Sequence, residues 1–192
     1  MQHPLESVPN QYRKRLFFAF LIPTVILLIL FEIWDEPLKS SGINGILSFE
    51  LVGSPLRAQE ITDTWKQVSL ALSNTGQANP DIVNVPYLFA SFGLGIDYLF
   101  MVMYAFALGF GTLLAANRHG GWLKSLGAVA GYGAFIAACL DGVENYALFQ
   151  ILLGKVFSPY PEIAFYCASI KFSFLILGLL YGIVSGLLPK TK

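Results

Sequence analysis

Four ionisable side chains interrupt otherwise apolar stretches of this chain: Asp97, Asp141, Glu144 and Lys171. A charge at membrane depth costs several kcal/mol unless it is paired or wetted, so such residues mark ligand pockets, proton paths or paired helix contacts. Asp141, Glu144 and Asn145 recur at i, i+3 and i+4, which puts them on one helix face. Left toward lipid, that face would strand three polar groups in hydrocarbon, so it is expected to point into a helix bundle. Three carboxyls then stand against one ammonium. Like charges crowded in a low-dielectric layer do not all ionise, so at least one of the acids is expected to carry a proton at neutral pH.

The elements that must position these groups are membrane spans. Hydrophobic residues make up 55% of the 192 residues and charged residues 12%, about half the charged share of a soluble protein. The mean hydropathy of +0.62 agrees. Apolar runs cover about 16–34, 87–116, 122–153 and 163–188, each long enough to cross a ~30 Å hydrocarbon layer. The first is too long for a signal peptide, and the charged Glu32, Asp35 and Glu36 stand where a small-residue cleavage site would be. The expected fold is an all-α, polytopic membrane protein, a single domain built as an antiparallel four-transmembrane-helix bundle. Arg13, Lys14, Arg15, Arg118, Lys124, Lys190 and Lys192 all fall on the side of the termini. By the positive-inside rule both termini are then cytoplasmic, as in a bacterial inner-membrane protein.

The depths of the four charges can be compared from the helix rise. Asp97 lies ten residues below Tyr87 and Lys171 nine below Glu162, while Glu144 and Asp141 lie ten and thirteen below Gly154. Each is therefore about 13–20 Å from the outer end of its helix, which predicts one shared polar layer.

The segment at about 35–86 is the one long connection. Within it Ser54-Pro55 is a helix start, with serine capping and proline at the first helical position. Ile61, Trp65, Val68 and Leu72 follow on one face, predicting an extracytoplasmic amphipathic helix that Gly76 to Pro80 terminate. Two placements fit: a linker helix covering the loop side of the bundle, or a lid at the membrane surface with Ile61 and Trp65 over the polar layer.

Several chemistries are disfavoured. Zero net charge gives no argument for nucleic acid as a partner, and no motif specifies a cofactor. The only histidines, His3 and His119, lie in the first few residues and in a short turn, which removes imidazole metal centres and haem. A carboxylate site for a hard cation at Asp97, Asp141 and Glu144 would face competition from Lys171. No GxSxG motif or phosphate-cradling glycine loop followed by lysine is present. Gly93-Leu94-Gly95-Ile96-Asp97 is superficially similar to the GxGD signature of intramembrane aspartyl proteases, but Ile96 intervenes. Cys139 and Cys167 form no CxxC pair and read as small core residues. Tyr98, Phe100, Tyr104, Phe106, Tyr146 and Phe149 read as bundle packing and interfacial aromatics, or as the wall of a pocket for a flat or lipidic ligand.

Phe49-Glu50-Leu51 before Ser54-Pro55, Trp65, Asp97-Tyr98-Leu99-Phe100 with Tyr104, Leu140-Asp141-Gly142-Val143-Glu144-Asn145, and Lys171 together resemble a loose set of small bacterial four-span membrane proteins. That resemblance implies the fold and supplies no activity. The functional expectation is a polar pocket of Asp97, Asp141, Glu144, Asn145 and Lys171 that takes a small polar or lipid-derived ligand, or relays protons or a small solute. Lys171 would be its counter-ion and Glu144 its exchangeable acid. The rival readings are a structural or accessory subunit, in which the charges only set helix register, and a lipid-acting membrane enzyme with Asp141 or Glu144 as acid or base.

Overall fold

The computed structural model describes residues 1–39, 42–72 and 85–190. Among them every regular element is helical: α1 (Asn10–Trp34), α2 (Glu36–Lys39), α3 (Gly45–Glu50), α4 (Pro55–Leu72), α5 (Val85–Ala116), α6 (Gly121–Leu152) and α7 (Tyr160–Leu187). The helices α1, α5, α6 and α7 are long and apolar enough to cross a membrane, so the all-α four-span fold is as the hydropathy requires. Over their most apolar windows α5 is 56% buried and α1 only 11%. Most of α1 is thus left uncovered by the rest of the protein, in keeping with its being apolar on every side.

The chain divides into two compact units. The first comprises Met1–Leu27, Leu99–Asp141 and Ile170–Lys192. Here the four long helices pack through aromatic rings and small residues. Phe20 of α1 stacks on Phe106 of α5 at 4.8 Å, and Phe106 meets Phe135 of α6 edge-on at 5.3 Å. Gly133 and Gly127 of α6 receive Phe174 and Tyr181 of α7. At Gly127 an added Cβ would lie 2.5 Å from the Tyr181 hydroxyl, so glycine is what allows the close approach. The Tyr181 hydroxyl donates to the Leu123 carbonyl at 3.0 Å, and His119 in the α5–α6 turn is bonded to the Ser185 carbonyl at 2.9 Å.

The same unit contains the residues ahead of α1, which fold back onto it. His3 is buried, with Nε2 3.2 Å from Thr112 Oγ1 on α5. The Leu5 side chain packs over Gly109, and Glu6 pairs with Lys124 at 3.0 Å. Arg13, buried in the first turns of α1, donates to the carbonyls of Val8 and Glu6 at 2.7 Å.

The second unit comprises Leu28–Tyr98 and Gly142–Ser169. Its core is built around α3 and α4: Phe49, Ala58, Ile61 and Trp65 are fully buried with Leu94 of α5 and Leu148 and Ile151 of α6. Trp65 contacts Phe49 at 5.1 Å and Tyr87 at 5.9 Å between ring centroids. The amphipathic face of α4 is thus a core face. Both Ile61 and Trp65 are spent on this packing, as the linker placement of α4 expects. Arg57–Glu60 and Lys66–Asp63 ion pairs occupy its exposed side. Ser54 caps α4 as its sequence suggests, its hydroxyl accepting the Arg57 N–H at 3.3 Å ahead of Pro55. The side chains of Val68 and Leu72, and the stop expected at Gly76 to Pro80, lie outside what is described.

Candidate functional site

The predicted polar residues come together in two groups, one within each unit. In the first unit Lys171 of α7 donates to Asp141 Oδ1 at 2.6 Å and Tyr104 of α5 donates to Oδ2 at 2.8 Å. All three residues are buried, and the Lys171 ammonium sits 4.9 Å from the Phe172 ring centroid. Both carboxylate oxygens of Asp141 are therefore engaged. Chemically this is a satisfied ion pair that ties three helices together.

In the second unit Asn145 of α6 is fully buried and donates through Nδ2 to Asp97 Oδ2 of α5 at 2.7 Å. Its own Oδ1 has no hydrogen-bond partner among the described residues. Glu144, the preceding residue on α6, is also fully buried. Asp97 is half-buried and borders a cavity of about 80 Å³. This volume holds several waters or one small organic molecule.

The wall of that cavity comes from four elements and the turn after α1. Phe31 and Trp34 belong to α1, Asp35 to the turn, Leu38 to α2, Ile46 and Glu50 to α3, and Phe89, Gly93, Leu94 and Asp97 to α5. Three of these ten are acids and none is basic. Gly93 contributes only backbone, and a Cβ added there would meet nothing within 4 Å. Local structure fixes Asp35: buried at the end of α1, it accepts the Ile46 N–H at 2.6 Å and pairs with Lys39 at 3.4 Å. Gly45 makes this possible, because its φ is +67° and any side chain there would collide with the Asp35 carboxylate.

No family model, curated protein or solved structure matches this chain.

Some site residues were not visible as such in the sequence. In the sequence Asp35 stands only as a charge after the first apolar run and Glu50 only within Phe49-Glu50-Leu51, because their place beside Asp97 depends on the reversal through α2 and α3. Tyr104 was one of six aromatics with nothing to set it apart until its hydroxyl is seen on Asp141. The aromatic-pocket reading fails for Tyr98 and Tyr146, which are 44% and 57% exposed. Ile61 and Trp65 do not line the cavity; α2 and α3 do. Among the described residues no three of His, Cys, Asp or Glu converge tightly enough to hold a metal ion.

Proposed function

We propose that this integral membrane protein binds a small organic cation, with Asp97 as counter-ion and Asn145 holding the Asp97 carboxylate in place. The observation that carries this reading is an acid-lined cavity walled by Phe31, Trp34 and Phe89. A carboxylate attracts an ammonium group, and aromatic faces attract a partly desolvated cation through the ring quadrupole. Asn145 gives Asp97 a fixed donor at 2.7 Å, which orients the carboxylate at the edge of the cavity where the cation would sit. The size suits a methylammonium- or ethylammonium-like group, whether free or at the end of a lipid headgroup. In this reading Asp141 and Lys171 hold helices rather than ligand, and the membrane is a bacterial inner membrane with both termini cytoplasmic.

Calorimetric titration of the detergent-purified protein with methylammonium and ethylammonium chloride tests it, with sodium chloride as the ionic control. Saturable binding that weakens roughly 10- to 100-fold in Asp97→Asn is expected, the range for losing one charged hydrogen bond. Equal titrations for the two proteins would remove the proposal. A parallel arm with phosphatidylethanolamine in nanodiscs distinguishes a headgroup from a free amine.

A further inference from the structure

The segment ahead of α1 is held by a polar arrangement that determines the protonation state of its histidine. The Leu5 N–H donates to His3 Nδ1 at 3.2 Å, so Nδ1 is an acceptor. The proton therefore sits on Nε2, which faces Thr112 Oγ1 at 3.2 Å. The Thr112 hydroxyl in turn donates to the carbonyls of Leu108 and Gly109 at 2.9 and 3.0 Å. The three links form a consistent chain only for neutral imidazole. The ring occupies the space over Gly131 of α6, where a Cβ would collide with it, while Leu5 fills the neighbouring notch at Gly109 of α5. His3 is 4% exposed. A positive charge here would be buried and would also remove the acceptor for Leu5.

We propose that residues 1–9 are an acid-released latch, docked between α5 and α6 through neutral His3 and freed when His3 takes up a proton. The charged groups around it act in known directions. Burial pushes the His3 pKa from 6.5 down to about 4, Glu6 opposes that shift, and Arg13 adds to it. Lys124, at the start of α6, acts through Glu6, whose carboxyl it holds below the usual range. The sign follows from linkage. A base whose docked pKa is depressed favours release as pH falls through its free value, so docking is at full strength above about pH 6.5 and weakest below about pH 4. Over the whole titration the docking constant falls about 300-fold, with about 30-fold of it reached by pH 5. Loss of the Glu6–Lys124 pair begins only below the ordinary Glu pKa of 4.5, so His3 alone governs the interval from pH 6.5 to 5.

Release would open the Gly109–Gly131 notch, so the latch makes access to that part of the first unit dependent on pH. The test uses the full chain in nanodiscs with Cys139 and Cys167 replaced by serine and a spin label at Gln2→Cys. An immobile label at pH 7.5 that becomes mobile between pH 6.5 and 5 is expected. His3→Gln, neutral at every pH and able to donate to Thr112, should keep the label immobile through that interval, and Glu6→Gln should retain the transition. A label already mobile at pH 7.5, a label still immobile at pH 5, or matching profiles for the His3→Gln protein and the parent would each overturn the latch.

Discussion

Replacing Lys171 with methionine removes one partner from a buried pair and keeps the volume. In the first unit the Lys171 and Asp141 side chains are 5% and 2% exposed and meet at 2.6 Å. Without the ammonium, Asp141 retains the Tyr104 hydroxyl at 2.8 Å among the described residues. A hydrogen bond to a charged group contributes about 1.5–3 kcal/mol, too little to offset an unpaired buried carboxylate. Breaking such a pair from one side costs about 3–5 kcal/mol, and that is the destabilisation expected for Lys171→Met. Replacing all three members, as Lys171→Met, Asp141→Leu and Tyr104→Phe, takes out both charges and the bonded hydroxyl together and should return stability to within ~1 kcal/mol of the parent or above it. Reversible unfolding by SDS in mixed micelles, followed by tryptophan fluorescence, reads both proteins on one scale. If the single substitution costs less than ~1 kcal/mol, or if the triple variant is as damaged as the single one, the pair is not what fastens these helices.

Three further outcomes follow from the second unit and the cavity. Trp65→Ala should lose about 3–5 kcal/mol in the same unfolding assay, because the indole is fully buried against Phe49 and Tyr87; a change below ~1 kcal/mol would place α4 outside the core. Gly93→Ala should be tolerated, since its Cβ meets nothing within 4 Å, whereas Gly93→Leu should abolish methylammonium binding by filling the cavity while leaving the unfolding midpoint near the parent's. Asn145→Leu should weaken binding by freeing the Asp97 carboxylate, with a loss smaller than that of Asp97→Asn in side-by-side calorimetry.

Much of this fold was legible because each span is a run of about twenty apolar residues, and that signal survives any detail of packing. The start of α4 was legible for a local reason, since Ser54-Pro55 carries its own capping chemistry. Depth alone placed Lys171 in a layer with three acids without choosing among them; the structure shows it bonded to Asp141 at 2.6 Å. The destination of the α4 face was not legible, because Ile61 and Trp65 at helical spacing look the same whether they cover a core or lie on a bilayer. The cavity wall was also hidden. Asp35, Glu50 and Asp97 are brought to it by two short helices and a turn that depends on the left-handed backbone of Gly45. His3 gave no periodic signal at all: one histidine in a polar lead segment acquires meaning only when Thr112 and Gly131 are seen around it.

A cation held in the cavity bordered by Asp97 and Trp34 should lie against the Trp34 indole. Contact between ¹³C-labelled methylammonium and the Trp34 indole protons, measured by NMR transfer in detergent micelles, tests this most directly. The account requires a contact that saturates with ligand in the parent protein and is lost in both Asp97→Asn and Gly93→Leu. Contact that persists unchanged in those two variants, or binding with no contact to Trp34, would contradict it.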